Sequence, residues 1–280
     1  MHWASKTRTS GVNARHPAMQ IEKPSPWQRA GQATGDSVAP RRELRLYGVN
    51  AVRAMFARRP QALRKLYLSH GRAGAFADLM RWCAANRIGY RIVDEDDLRR
   101  LAASSHHEGV VADVTREPSQ PLPEWLAALP EGPCCAIWLD GVGNPHNLGA
   151  ILRNAAHFGV SAVLLPRYSP LQLSGAAARV AEGGAEAVSW VQMSDAAIAM
   201  QALRAAGFTL AATLVAGGDD VFATALPERL VYVLGAEQTG MNRTLAENCD
   251  LRLSIPGSGK VESLNVASAT AVLLAAWARR

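Results

Sequence analysis

The sequence predicts an α/β protein whose larger part is built on a mostly parallel sheet. From Leu44 to the end, short apolar runs typical of strands alternate with longer stretches of helical period. Several runs are apolar at every position, as in residues 230–234 (Leu-Val-Tyr-Val-Leu). Such strands are typical of a parallel sheet that helices cover on both faces. At 280 residues the chain is long enough for two domains.

Composition divides the chain into four segments. Residues 1–43 are rich in Ser, Thr, Gly, Pro and basic side chains without an apolar period, which predicts a disordered basic tail. Residues 44–116 alternate helices and strands and predict a small α/β unit. Residues 117–133 are rich in proline and predict a linker around a short helical piece at Trp125. Residues 134–280 hold a second, longer alternation.

The elements follow from apolar spacing and from capping residues. In the first helix Val49, Val52, Met55 and Phe56 share one face, and Asp94 can cap a later helix. In the first unit the patterns predict helices at 48–59, 76–86 and 94–101 and strands at 66–68, 90–93 and 109–114. In the second unit they predict strands at 135–139, 161–165, 188–191, 209–214, 230–234 and 251–255 and helices at 147–158, 174–182, 194–206 and 263–279. The last helix is apolar on nearly all sides, so we expect it to be buried in the core or in a subunit interface.

The charge is unevenly distributed. Residues 1–45 carry eight Lys and Arg against three acidic residues, residues 46–120 carry twelve against eight, and residues 121–280 carry ten against thirteen. These are net charges of +5, +4 and −3, within a total of +6. A basic front beside a mildly acidic back favours a polyanionic partner such as RNA, although a solvated arginine-rich surface would give the same count.

Other classes of protein are not favoured. No apolar run reaches the roughly 18 residues of a membrane span, and the N-terminus lacks the apolar core of a secretion signal, so we expect a cytoplasmic protein without a membrane partner. The four cysteines show no metal-binding or redox spacing and are expected to be reduced and buried. The pair His106-His107 lacks further ligands at suitable spacing, so we expect no metal.

The first of three segments with functional character is residues 144–153, Asn-Pro-His-Asn-Leu-Gly-Ala-Ile-Leu-Arg. A strand ends at Asp140, and after a Gly-Val-Gly turn Asn147 is placed to open a helix. A capped helix after a strand would explain Asn147 alone. Arg153 lies farther along the same, largely apolar helix, and an arginine there favours an anionic partner such as phosphate.

The second and third segments also join glycine to polar residues at strand ends. Residues 233–241 run from a strand into Gly235-Ala-Glu237, and glycine at the carboxyl end of a strand allows close contact with a ligand. Residues 255–266 begin with Ile-Pro and lead into the last helix, where Ser263 can be an N-cap and Asn265 is an isolated amide. The Gly-Ser-Gly-Lys run at 257–260 and the Gly-Val-Gly turn do not complete a phosphate loop or a dinucleotide loop.

Together the three segments resemble the motifs of the SpoU (TrmH) family of RNA ribose 2′-O-methyltransferases, in the SPOUT superfamily. The resemblance covers residues 134–280 and includes 174–185 as an intermediate segment. Residues 44–115 are similar to the family's N-terminal substrate-binding domain, from Leu-Tyr-Gly-Val-Asn at 46–50 to His-Glu-Gly-Val at 107–110. Two positions depart from the family pattern, because members usually have His in place of Asn50 and Gln in place of Glu108.

The resemblance implies a C-terminal trefoil knot, S-adenosyl-L-methionine as cofactor, a homodimer, and tRNA or rRNA as substrate. It assigns cofactor binding to the following residues: Leu234, Gly235, Ile255, Pro256, Leu264 and Asn265. It assigns the catalytic site to a second set: Arg153, Asn147, Glu237, Ser263 and Asn265. A guanidinium stays protonated and is a poor base, so the expected role of Arg153 is to orient the 2′-hydroxyl and stabilise its developing negative charge.

Two other functions stay open at this point. A catalytically inactive RNA-binding or ribosome-assembly factor could retain the same fold, although the intact motifs argue against it. A nucleotide-binding enzyme of ordinary Rossmann type is disfavoured by the incomplete phosphate loops.

Overall fold

The structure is a computed structural model that describes residues 43–236 and 240–280. The predicted tail, up to residue 42, and residues 237–239 lie outside the described part. Glu43 is the first residue of a strand, so the described structure begins at the last residue of the predicted tail. All described residues belong to one compact unit of the chain.

The first of two sheets, the N-terminal sheet, has four strands in the order β1-β4-β2-β3. Its strands are β1 (Glu43–Tyr47), β2 (Leu63–Ser69), β3 (Gly89–Val93) and β4 (Val110–Thr115). Its helices are α1 (Val49–Arg58), α2 (Ala77–Ala85) and α3 (Glu95–Ala102). Strand β4 pairs antiparallel with β1 and β2, whereas β2 and β3 are parallel. The helices and strands predicted for this part of the chain are confirmed to within a few residues. Strand β1 was not predicted from the sequence.

Helices cover the two faces of the N-terminal sheet unequally. Helices α1 and α2 close one face, where Val52 and Met55 pack into a large apolar cluster. Helix α3 contacts the other face through Leu98, which packs against Tyr47 and Tyr67 in a smaller cluster. Polar and charged side chains therefore remain on the α3 side.

The second sheet, the parallel sheet, has eight strands in the order β10-β12-β9-β11-β6-β7-β8-β5, and every strand pair described in it is parallel. Its strands are β5 (Gln120–Pro121), β6 (Cys134–Asp140), β7 (Ala162–Pro166), β8 (Ser189–Met193), β9 (Thr209–Leu214), β10 (Asp219–Asp220), β11 (Arg229–Gly235) and β12 (Leu251–Ser254). Its helices are α4 (Leu122–Ala127), α5 (Pro145–His157), α6 (Gly175–Ala181), α7 (Gly184–Ala187), α8 (Ala196–Ala205), α9 (Arg243–Glu247) and α10 (Val266–Ala278). The predicted α/β fold with a mostly parallel sheet is confirmed.

Both faces of the parallel sheet are buried, as the continuous apolar runs predicted. Along β11, Leu230, Tyr232 and Leu234 pack into the cluster that contains α5 and α10. The alternate residues Val231 and Val233 pack into the cluster on the opposite face. Because side chains alternate along a strand, a strand apolar at every position fits only a sheet covered on both faces.

The proline-rich segment is more ordered than a simple linker. Helix α4 is the predicted helical piece, and its Trp125 is buried in the cluster that also holds the α8 residues. The two-residue strand β5 adds to the edge of the parallel sheet beside β8. This edge strand carries no sequence pattern long enough to predict it.

The last helix begins at Val266, three residues later than predicted. Its N-cap is Asn265, whose Oδ1 accepts hydrogen bonds from the backbone N–H groups of Ala267 (2.9 Å) and Ser268 (3.4 Å). Ser263 is exposed and precedes the helix, so its expected capping role is wrong. Among the described helices, α10 included, none has the length and apolar content needed to cross a bilayer.

A buried ion pair joins the two sheets. The guanidinium of Arg59, at the end of α1, donates from Nε and Nη2 to both carboxylate oxygens of Glu186 in α7, at 2.8 and 2.7 Å. The side chains are only 11% and 8% exposed. Near the start of α1, Asn50 hydrogen-bonds Glu182, and Glu108 forms an ion pair with Arg179. The two residues that depart from the family pattern therefore both contact the region around α6.

Candidate active site

The three segments meet at the carboxyl edge of the parallel sheet. Strands β6 and β11 are neighbours, and their register places Gly235 opposite Asp140. Strand β9 separates β11 from β12, whose end leads into the third segment. In a parallel sheet the carboxyl ends of all strands lie at one edge, where such folds bind ligands.

The N-cap of α5 is Asn144 and not Asn147. The Asn144 Oδ1 accepts a hydrogen bond from the backbone N–H of His146 at 2.8 Å, and Pro145 occupies the first helical position. Proline is favoured there because its missing N–H would have no partner in the helix. Capping by Asn144 leaves the side chain of Asn147, in the first turn, available for another contact.

That contact is with the third segment. Asn265 donates a hydrogen bond from Nδ2 to the Oδ1 of Asn147 at 3.0 Å. One turn farther along α5, Asn154 donates to the backbone carbonyl of Ala267 at 3.0 Å. The Asn265 side chain thus caps α10 with its oxygen and reaches the first segment with its nitrogen. The expectation that Asn147 and Asn265 lie together is supported by this bond, whereas their roles remain predictions.

The second segment folds back on itself directly after β11. Ala236 and Gly240 exchange two backbone hydrogen bonds, of 3.1 and 2.9 Å, and so close the loop that contains Glu237. Glu237 itself lies outside the described residues. A Cβ at Gly235 would meet the backbone nitrogen of Met241 at 2.4 Å. The immediate reason for glycine at this position is therefore close approach of the chain's own backbone, and not of a ligand alone.

Asp140 has a role that the sequence analysis did not assign. Its Oδ2 accepts a hydrogen bond from the backbone N–H of Asn242 at 3.1 Å, so it ties the chain just after the second segment to the strand end that precedes the first. Burial raises the pKa of the Asp140 carboxyl, and the hydrogen bond from Asn242 partly opposes that rise. The sequence could have indicated this role, because Asp140 ends an otherwise apolar strand and a charged group at such a position needs a partner.

The third segment forms an open loop over the edge. Residues 256–265 are all exposed, and two of them are apolar: Val261 is 72% exposed and Leu264 is 48% exposed. Ile255, at its start, is half-buried against the core. An exposed apolar side chain beside strand ends that carry glycine suits a flat, partly apolar ligand such as an adenosine group.

Arg153 stands apart from these residues. It is exposed, so the argument that burial requires an anionic partner does not apply to it. By helical rise it lies about 9 Å along α5 from Asn147. It is near Glu182, whose pKa is lowered chiefly by the hydrogen bond from Asn50 and further by the charges of Arg179 and Arg153. The described residues of one chain do not bring Arg153 to the Asn147–Asn265 pair.

Comparisons with known proteins agree with this architecture. Residues 135–275 match the SpoU rRNA Methylase family, and residues 45–120 match a domain described as RNA 2′-O ribose methyltransferase substrate binding. The chain is 34% identical to "Uncharacterized tRNA/rRNA methyltransferase YfiF" of Escherichia coli O157:H7, over 91% of this chain and 80% of that protein. It is 36% identical to the 23S rRNA (guanosine-2′-O-)-methyltransferase RlmB of Pseudomonas aeruginosa, over 82% of this chain and 94% of that protein.

A solved structure supports the fold. The AdoMet-bound rRNA methyltransferase of Sinorhizobium meliloti superimposes with a TM-score of 0.71 at 23% identity, covering 85% of this chain and 87% of that chain. The substrate-binding model matches the part of the chain with the small mixed sheet, and the methylase model matches the part with the parallel sheet. The chain belongs to the SpoU methylase family. It is an S-adenosylmethionine-dependent RNA 2′-O-ribose methyltransferase.

Proposed function

We propose that this chain methylates the ribose 2′-hydroxyl of a nucleotide in ribosomal RNA. Similarity to proteins named as 23S rRNA guanosine methyltransferases supports this substrate, since their sequences are covered almost completely. The main support for the proposed site is the hydrogen bond between Asn147 and Asn265, because it joins two motifs that are distant in sequence at one point of the sheet edge. A cytoplasmic location is proposed on the same basis, because ribosomal RNA would be the substrate.

We propose that the ends of β11 and β12 hold the cofactor. The glycine-bearing turn at Leu234-Gly235 and the open loop from Ile255-Pro256 to Leu264 offer backbone groups and exposed apolar surface, which fit an adenosine. When bound, S-adenosylmethionine supplies an electrophilic sulfonium methyl group. Asn265, held by the start of α10, would fix the edge of this pocket.

The catalytic residues proposed at the ribose are Arg153, Asn147, Glu237, Ser263 and Asn265. In-line methyl transfer depends mainly on holding the 2′-oxygen on the line of the methyl–sulfur bond. The amide of Asn147, oriented by Asn265, can accept or donate a hydrogen bond at that oxygen. Arg153 would stabilise the negative charge that develops on it and would contact the adjacent phosphate. No step in this scheme uses a metal.

We also propose the trefoil knot and a homodimer, both from family membership. The face of α10 that the core does not bury carries half-buried Ala269 and Val272 at helical spacing, and a second copy of the chain would cover it. Because Leu274 is fully buried inside one chain, a charge at that position would test folding and not assembly.

Methyl transfer tests the proposed function directly. The full chain is incubated with S-adenosylmethionine carrying a labelled methyl group and with unmodified transcripts of 23S rRNA, 16S rRNA or tRNA. Label in rRNA, mapped as a 2′-O-methyl nucleotide by resistance to alkaline cleavage, is the expected result. Label only in tRNA would refute the substrate, and no label in any RNA, with Arg153→Ala as the matched blank, would refute the activity.

Light scattering tests the dimer. We expect the wild-type chain to be a dimer at micromolar concentration and Val272→Glu to be a folded monomer. Ile198→Glu, on the exposed face of α8, introduces the same charge elsewhere and should leave the dimer intact. A wild-type monomer would refute the assembly.

A further inference from the structure

A basic groove lies on the face of the N-terminal sheet that carries α3. Its volume is about 390 Å³, and its charged lining residues are Arg45, Lys65, Arg91, Asp97 and Arg100. Tyr67 forms part of its floor and is paired in the sheet with Arg91. Four cations and one carboxylate around a single depression make a local positive field.

Two of the four cations are neutralised within the protein. Arg45 donates from Nε and Nη2 to both carboxylate oxygens of Asp113, at 2.6 and 3.1 Å, and from Nη1 to the carbonyl of Leu101 at 3.2 Å. Arg100 forms an ion pair with Asp97 one turn earlier on α3. Arg45 and Arg100 therefore line the groove but add little net positive charge to it.

The other two cations carry the excess charge. Within the described part of the chain, neither Lys65 nor Arg91 forms an ion pair with an acidic side chain. The Lys65 ammonium lies 5.1 Å from the centroid of the Tyr67 ring, which positions it over the floor of the groove. Strand register places Arg91 beside the same ring, on the neighbouring strand. The positive charges of Lys65 and Arg91 therefore both lie next to the Tyr67 ring.

Protection of an edge strand is a simpler explanation for a charged side chain, but it applies to Arg91 and not to Lys65. Strand β3 is at the edge of the sheet, and a charged side chain on an edge strand prevents unwanted pairing with another sheet, which would explain Arg91. Lys65 is on β2, between β4 and β3, where no such protection is needed. Lys65 is half-buried, and the acidic residue opposite it on β4, Asp113, is already held by both hydrogen bonds from Arg45. A lysine in this position favours an anion supplied from outside.

We propose that this groove is a phosphate-binding subsite for the RNA substrate, in which Lys65 and Arg91 hold backbone phosphates. The assignment rests on the proposed function for its ligand, and it gives the N-terminal sheet a specific contact point away from the methyl-transfer site. The Arg91 guanidinium can bind a phosphate through two parallel hydrogen bonds, and Lys65 adds a point charge. Phosphate contacts fix the position of RNA without reading its sequence.

The salt dependence of binding tests this subsite without requiring methylation. We would measure the affinity of the full chain for a fluorescent 20-nucleotide oligouridylate from 50 to 300 mM salt. The test variant is Lys65→Gln with Arg91→Gln. The control is Arg64→Gln with Arg81→Gln, which removes the same charge from exposed positions around the same sheet that do not line the groove. Melting temperatures of both variants should match the wild type, because the substitutions are polar and reach solvent.

In the groove variant, affinity should fall less steeply with salt: the magnitude of the slope of log affinity against log salt should decrease by about 1.4. Each lost phosphate contact on a single strand accounts for about 0.7. Arg91→Gln alone should account for about half, and the control should keep the wild-type slope. An unchanged slope in the groove variant, or an equal fall in the control, would overturn the subsite. A chain that binds RNA in this way but transfers no methyl group would instead refute the proposed function.

Discussion

The two sheets of this molecule use their surfaces in opposite ways. The parallel sheet buries both faces under helices, so the polar residues proposed for its site lie at strand ends or on the helices that follow them. The N-terminal sheet leaves charged side chains on the face beside α3, in the middle of its strands. The difference indicates that an extended polyanion can contact the first sheet along a face, whereas a small reacting group fits the edge of the second.

The contact between the sheets is the part that relates these two surfaces. It has an apolar part, where Ala178 packs into the apolar cluster of the N-terminal sheet, and a polar part with two groups of ion pairs. Arg59 pairs with Glu186 in one group, and Arg179 pairs with Glu108 and Glu182 in the other. An ion pair this buried contributes to stability only while both partners are present, because either one alone is a buried uncompensated charge. Breaking this contact, or altering one surface at a time, separates the contributions of the two surfaces.

Arg59→Ala should destabilise the protein by about 3–5 kcal/mol, because Glu186 would be left buried without its cation. Urea denaturation of the wild type and the variant measures this change. Replacing both partners, Arg59→Met with Glu186→Met, should recover most of the loss, since no charge is then left unpaired. Equal losses for the single and double variants would show that packing, and not charge, holds the contact.

Arg153→Ala should lower kcat for methyl transfer by about 10²- to 10³-fold, the range for removing one group that stabilises developing negative charge. Affinity for S-adenosylmethionine should not change, because Arg153 is exposed and lies farther along α5 than Asn147. The salt dependence of RNA binding should weaken by about 0.7 in slope, because the proposed contact with the adjacent phosphate is lost. Single-turnover kinetics and calorimetry separate these quantities. Lys at this position should rescue poorly because it lacks the planar fork. Near-normal turnover in the Ala variant would refute the assigned role.

Asn265→Ala should cost about 1 kcal/mol of stability, the usual effect of losing an N-cap, and should also lower activity. Asn265→Asp separates the two functions of the side chain. Aspartate can cap α10 equally well but cannot donate a hydrogen bond to Asn147. We therefore expect the Asp variant to melt near the wild-type temperature with reduced methyl transfer. If the Asp variant is fully active, the Asn147–Asn265 bond has no catalytic importance.

The sequence predicted the sheets better than the details of the site, for a physical reason. Burial on two faces imposes apolar residues along a whole strand such as β11, and that pattern is visible in one dimension. Capping is decided by one residue, so choosing among Asn144, Asn147, Ser263 and Asn265 required backbone geometry. The groove is also hidden from the sequence, because Lys65 and Arg91 are brought together only by pairing of β2 with β3.

The smallest expected effect concerns Asp140, at the edge of the parallel sheet. Its pKa is raised by burial in the folded state, so unfolding lets it ionise more easily. Below about pH 3.9, the ordinary value, the carboxyl is protonated in both states and adds no pH dependence. As pH rises from there to the folded pKa, the unfolded chain loses its proton first, so the wild type loses stability; above the folded pKa the loss is constant.

Asp140→Asn keeps an oxygen that can accept from the Asn242 N–H but has no proton to lose. The stability of the Asn variant minus that of the wild type should therefore grow from pH 4 toward neutrality and then level off, by less than the loss for Asn265→Ala. Paired urea denaturation at each pH measures the difference. A difference that shrinks with rising pH would mean that the charged carboxylate is favoured at this edge, and that hydrogen bonding outweighs burial there.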